Sequence, residues 1–437
     1  MNGFAIDVYE PRPSTASIWG KRAGEVLLCL VIVGSFYQKS KAGESQPVPY
    51  DLALVGCMGF FFLLGLKLPR GIVWPALCWG LVLIGYILGG MSAPYMDLVQ
   101  DSITVSAYLV CAFIFFCSYV YEAPAARLPM LFNAWSAAAI IVATIGSAAY
   151  FGAIPGADDY LLSGRAAGTF NDPNVFGPFL IPPTIYLALR LSKAKSAQAL
   201  LIVPFVVILL LGILLSFSRG AWGSLLLSGA VFLGLTLATS RSQKQSMRLI
   251  AFAVLMSLLI VGVVAAALST PKVQTLFEER ATLVQNYDVG EEGRFESQKR
   301  AIVKTLENPL GLGPNQWAKL NMLDTHNVYV HVLVAGGFLS GLSFLAFLAV
   351  TFRRGWRAAF MAGEGQEYLI VAYACIVGHM VEAFIIDVDN WRHLYLLFGM
   401  VWGVILARDT QGAMARRPPR ASPREDARGM QTAGFSG

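Results

Sequence analysis

Apolar runs of roughly 17 to 25 residues recur along this chain, and that recurrence leaves few folds open. Each run is long enough to cross about 30 Å of hydrocarbon as a helix. Inside lipid such a segment must satisfy its own backbone polar groups, because the surroundings offer none. Composition agrees: hydrophobic residues make up 56% and charged residues only 14%, which excludes an ordinary soluble protein. The fold class that follows is all-α, a polytopic membrane helical bundle of about twelve transmembrane helices. Nine spans are expected within residues 18–268 and three more within 328–406. Between them, 269–327 reads as a large, partly helical loop before the tenth span. The first run follows Lys21 and Arg22, with no small-residue cleavage site after it, so it reads as a retained span rather than a signal peptide.

Charge sets the expected sidedness. With residues 1–17 placed in the cytoplasm, 21 of the 33 Lys and Arg residues fall on the inner side. Seven of the other twelve belong to the loop 269–327, and long translocated loops contribute little to the positive-inside bias. Residues 200–238, about 39 in number, are too long for one span at 1.5 Å per residue. Basic segments flank them on both sides, so an even number of crossings is expected, with the turn at "SFSRG", Ser216–Gly220. The tail, 407–437, is rich in Pro, Gly and Arg and cannot bury enough surface to fold, so it reads as a disordered cytoplasmic segment.

The remaining polar residues concentrate in two outer segments, 152–174 and 269–327. In the second, a helix is expected over 271–286 with Pro271 in its first turn, followed by the turn "VGEEG". A second helix, about Arg294–Leu306, puts Phe295, Ile302, Val303 and Leu306 on one face. The outer face so presents Arg165, Arg219, Arg294, Arg300 and His326. Arginine suits phosphate because its rigid fork donates two parallel, charge-assisted hydrogen bonds. Arg219 interrupts an apolar hairpin, where an arginine costs about 2.5–3.5 kcal/mol on insertion scales. Such a residue faces a cavity or partner, or else snorkels to the headgroups as an anchor. His326, between Asp324 and Asn327, is either a loop-bracing side chain or a general base.

Other candidates carry less. His331 is expected to pack inside the bundle, and His379 with Glu382, three apart on one helix face, reads as a structural pair. The acidic pair Asp387 and Asp389 is a weak metal-binding pattern. All six cysteines lie in apolar runs, without metal-ligand spacing, which disfavours both a disulfide framework and a zinc site.

Four blocks, "SGRAAGTFNDPNVFGPFL", "LLSFSRGAWGSLL", "GRFESQKRAIVKTLENPLGLGPNQW" and "THNVYVHVLVAGGFLSGLSFL", together resemble the O-antigen ligase and O-antigen polymerase superfamily, over roughly residues 160–350. The resemblance implies a bacterial inner-membrane enzyme, N- and C-termini cytoplasmic, with one large periplasmic loop late in the chain. It implies transfer of a glycan from undecaprenyl pyrophosphate to lipid A-core or to another lipid-linked repeat. Other envelope-glycan assembly proteins are further expected partners, along with membrane lipid; nucleic acid is not. Neither a metal nor another cofactor is implied. Carried onto this sequence, the residues acting on the donor and acceptor are His326, Arg219 and Arg294. Arg165, Arg300, Asn327 and Asp324 stand beside them as substrate-binding candidates. One departure is Gln298, where the family often has a tryptophan. Twelve spans alone would also suit a transporter or flippase, although a two-halves transporter usually places its long connection mid-chain on the cytoplasmic side. A non-catalytic scaffold is the third reading.

Overall fold

The structure, a computed structural model, describes residues 15–40, 47–280 and 293–415. Among them are fifteen α-helices and one two-stranded sheet. In chain order the helices are α1 (Thr15–Gly34), α2 (Pro49–Leu63), α3 (Val73–Gly90), α4 (Met96–Glu122) and α5 (Pro124–Tyr150). The strands β1 (Leu161–Leu162) and β2 (Arg165–Ala166) follow, then α6 (Pro173–Lys193), α7 (Ser196–Leu215), α8 (Arg219–Ala238) and α9 (Gln243–Leu268). The segment before the next long helix carries α10 (Pro271–Arg280), α11 (Arg294–Glu307) and α12 (Gln316–Asn321). The chain then closes with α13 (Val328–Phe360), α14 (Gln366–Glu382) and α15 (Arg392–Ala415).

The protein is an all-α polytopic membrane protein. Eight of the described helices are long and apolar enough to cross a membrane. The other four expected spans fall on α1, α2, α14 and α15. The expected break at "SFSRG" is the connection from α7 to α8. The second loop helix, expected over Arg294–Leu306, is α11, but its apolar face is not the packed one. Phe295, Ile302, Val303 and Leu306 are exposed, whereas Ser297, Ala301 and Thr305 are buried. Small side chains let α11 lie close against α13, and Trp317 donates from its indole N–H to Ser297 Oγ at 3.1 Å. The first loop helix is described as far as Arg280; the remainder of 271–286 and most of "VGEEG" lie outside the described residues. The tail expected from residue 407 begins as helix, since α15 continues to Ala415; 416–437 lie outside the described residues.

Helix α6 occupies the middle of the bundle and is buried along most of its length despite three internal prolines, Pro178, Pro182 and Pro183. Packed neighbours make this tolerable, because they and local hydroxyls re-satisfy freed backbone groups. Thr184, just after the last proline, keeps its own hydroxyl bonded within the helix, donating to the Leu180 carbonyl at 2.7 Å. Helix α9 is the opposite case. Beyond Arg248 it is apolar on nearly every side, and only Ala267 is buried, the signature of a helix facing lipid.

The pair α3–α13 makes the most extensive helix contact, and its centre is a break in α13. Gly337 adopts φ 63° and ψ −162°, a conformation open only to glycine. The freed backbone groups are taken up by the stretch after α11. Phe338 N donates to Pro309 O at 3.0 Å, Leu312 N to Val334 O at 2.9 Å and Gly313 N to Ala335 O at 2.9 Å. The loop is therefore fastened into the bundle by main-chain hydrogen bonds. At the same end, Arg392 grips Asp51 through Nε and an Nη, both at 2.7 Å, tying the start of α15 to α2.

Candidate active site

Five segments meet at one end of the bundle, and each is shaped by a local rule. Between β1 and β2 the turn residues Ser163 and Gly164 both have positive φ, 50° and 74°, as a two-residue hairpin requires. The hairpin delivers Arg165. Asp172 then caps α6, accepting from Asn174 N at 2.7 Å. In the α7–α8 turn, Ser218 Oγ accepts from Ala221 N at 3.3 Å and caps α8, so Arg219 sits in that helix's first turn. Phe217, just before it, has φ 45°. Gly220 lets this turn approach α14, because a Cβ there would lie 2.7 Å from Glu382 Oε1. Helix α11 opens with Arg294. Finally, the turn before α13 holds His326 at φ 44°.

With the end of α10 and the stretch from Glu382 to Trp391, these segments enclose a cavity of about 250 Å³. Arg165, Arg219, Arg280 and Arg294 line it, with His326 and Asp324 in the same wall. Arg165 is positioned by two hydrogen bonds: Nε donates to Ser216 O at 2.8 Å and an Nη to Asn174 Oδ1 at 2.7 Å. Arg294 donates to the Ile385 carbonyl at 3.2 Å. Four carboxylates also reach the cavity, Asp172, Asp324, Glu382 and Asp387. Each has a donor or a histidine beside it. Asp172 caps α6; Asp324 accepts from Thr325 N at 2.7 Å. Asp387 accepts from Asn327 N at 2.8 Å and from Thr325 Oγ1 at 3.3 Å. Glu382 lies 3.5 Å from His379 Nδ1, and both are buried.

The histidine turn is therefore bolted down from below by Asp387. Non-glycine residues at positive φ are uncommon, and strain of this kind persists only when the surroundings over-determine it. Burial, and after it the Arg294 guanidinium, holds the His326 imidazole below its usual value of 6.5. The ring is thus kept neutral at neutral pH, the state in which it accepts a proton. Burial pushes Asp387 up. Asp324 is lowered: burial works against its charge, but the neighbouring His331 outweighs it.

Of the residues singled out from the sequence, Arg165, Arg219, Arg294, Asp324 and His326 line the one cavity. Arg300 does not. It lines a separate surface cavity with Glu296 and Lys304, because it lies six residues beyond Arg294 on the far side of α11. Asn327 is a helix cap: its Oδ1 accepts from Tyr329 N at 3.1 Å and Val330 N at 3.3 Å. Its Nδ2 donates to Gln298 Oε1 at 3.4 Å, so Gln298, at the departure from the family pattern, braces the histidine turn. Gln298 Nε2 also donates to Thr325 O at 3.0 Å.

Sequence reasoning missed Arg280, Asp172 and the role of Asp387. Arg280 is the last residue of α10 and ends "LFEER", a stretch with no motif of its own. In the sequence Asp387 reads only as half of a weak metal-binding pattern with Asp389. His331 is buried as expected, between Asp324, 3.9 Å from its Nδ1, and Asp389, 3.6 Å from its Nε2. Ligand atoms of Asp324, His331 and Asp387 lie within 4.8 Å of one another, close enough to share a cation. The flanking carboxylates equally suit a charged imidazole between them.

Residues 204–363 match the family model described as O-antigen ligase. The match runs from α7 through the histidine turn to the end of α13, and so includes Arg219, Arg280, Arg294 and His326. Among curated proteins no match to this chain was found.

Proposed function

We propose, with the O-antigen ligase match over residues 204–363 as premise, that this chain is a membrane glycan transferase of the ligase or polymerase type. Its donor is a glycan on undecaprenyl pyrophosphate, and its acceptor is a hydroxyl of lipid A-core or of another lipid-linked glycan. In this reading the protein crosses the bacterial inner membrane twelve times, both termini lie in the cytoplasm, and residues 269–327 form a periplasmic loop. The observation that carries the proposal is the convergence of four arginines and one neutral-held histidine on a single cavity.

The chemistry follows from charge. The acceptor oxygen attacks the anomeric carbon and its proton passes to His326. The bond from that carbon to the phosphate oxygen breaks, and its electron pair leaves with the diphosphate. Attack from the face opposite the leaving group inverts the anomeric centre. Guanidinium groups already fixed around the developing anion stabilise it without reorganising. Arg165 and Arg294 are held by hydrogen bonds to the scaffold, which is the preorganisation this demands. The apolar helices flanking the cavity supply a path for the polyprenyl chain.

The test is R219A and H326A in cells lacking the chromosomal copy, with surface glycan resolved on gels and protein level measured in the membrane. Loss of one charge-assisted contact of about 1.5–3 kcal/mol predicts a drop of roughly 10- to 150-fold. Accumulation of single unpolymerised repeats marks a polymerase, and unattached full-length chains mark a ligase. Normal glycan from both variants at normal protein levels would favour a scaffold and overturn the proposal.

A further inference from the structure

A second cavity lies at the other end of the bundle and has no part in the proposed transfer. Helix α6 starts beside the arginine cavity at Asn174 and ends beside this one at Lys193. Its 21 residues, at 1.5 Å each, separate the two by about 30 Å, one hydrocarbon thickness. Helix α8 repeats the measurement, with Arg219 lining the first cavity and Thr236 the second. No single headgroup reaches both.

The second cavity is large, about 870 Å³, and basic. Lys193, Arg241, Lys244 and Arg248 line it against one acid, Glu367. Glu367 is already paired with Lys193. Arg241, Lys244 and Arg248 make no ion pair among the described residues. Three unneutralised cations therefore face one concave space. They are brought there by chain geometry: Arg241 precedes α9, and Lys244 and Arg248 are one turn apart on its first turns. Helix α9 is the lipid-facing helix, so this wall of the cavity borders the bilayer. Leu189 and Leu249 supply apolar lining at the same depth.

We infer that this cavity binds the anionic phosphate headgroup of an acidic phospholipid, in the leaflet opposite the arginine cavity. Cations gathered near a membrane surface attract acidic lipid at about 1 kcal/mol each, and a concave arrangement adds direct hydrogen bonds to the phosphate oxygens. The apolar lining and the lipid-facing wall favour a phosphate that carries acyl chains over a free one.

The test uses the full chain in nanodiscs containing phosphatidylglycerol and phosphatidylcholine in equal amounts, with bound lipid counted by native mass spectrometry. Phosphatidylglycerol should be retained several-fold over phosphatidylcholine, and R241Q/K244Q/R248Q should abolish the preference. The control R353Q/R357Q removes two exposed arginines near the same end of α13 that do not line the cavity, and should leave it unchanged. If the triple variant fails to fold, R248Q alone should still lower the preference measurably. No preference in the wild type, an unchanged preference in R248Q, or an equal fall in R353Q/R357Q would overturn the inference. Displacement by millimolar inorganic phosphate would overturn the lipid assignment in favour of a free anion.

Discussion

Replacing Asp387 with alanine tests whether the histidine turn is held rather than merely present. The wild-type carboxylate accepts from the Asn327 backbone N–H at 2.8 Å and from Thr325 Oγ1 at 3.3 Å. These two residues flank His326, whose φ of 44° is strained for a side chain with a Cβ. Strain of that sort costs about 1–3 kcal/mol. An orphaned buried N–H costs about 1–3 kcal/mol as well. In D387A the anchor is gone and the strain remains, so relaxation of the turn becomes the lower-energy course. The imidazole then leaves its position, and each 1.36 kcal/mol lost from transition-state stabilisation is a factor of ten. D387A should accordingly lose about 10- to 100-fold in kcat/KM for glycan transfer. D387N keeps an acceptor oxygen in the same place and resembles the protonated acid that burial favours, so it should retain most of the activity. The assay is initial-rate transfer from lipid-linked donor by reconstituted protein, alongside thermal unfolding to show that both variants fold. Full activity in D387A would refute the reasoning. Equal damage in D387N would also refute it, because the charge rather than the acceptor geometry would then be what matters.

Two further outcomes follow from the same structure. Because His326 is held below its usual 6.5, transfer should be level above that pH and fall only as pH drops through the depressed value, when the ring gains a proton; R294Q, by removing the cation that helps lower it, should shift this acid limb upward, and a limb at or above 6.5 in the wild type would contradict the assignment. G337A should destabilise the fold by about 2–4 kcal/mol, since the added methyl overlaps the Pro309 carbonyl and the backbone angle there is closed to alanine; an unchanged unfolding temperature would show that the loop is not anchored through this break.

The sequence by itself determined the class of fold and the types of side chain that line the cavity. Apolar length and continuity admit only membrane-crossing helices, and these rules are local, so the breaks at Ser216–Gly220 and the helix opening at Arg294 could be read directly. Residue type likewise fixed which side chains can grip an anion, because guanidinium geometry belongs to the side chain and not to the fold. Tertiary structure decided which polar residues converge. Arg300 and Arg280 are alike in type and lie in the same loop, yet only Arg280 lines the cavity, because helix rotation and docking choose the face. The face of α11 that packs is the one with Ser297, Ala301 and Thr305, since close approach to α13 selects small side chains over large apolar ones. The link from Asp387 to the backbone beside His326 joins residues 60 apart in sequence. Nothing in either short segment announces it, because hydrogen bonds across that separation exist only once the helices between them have packed.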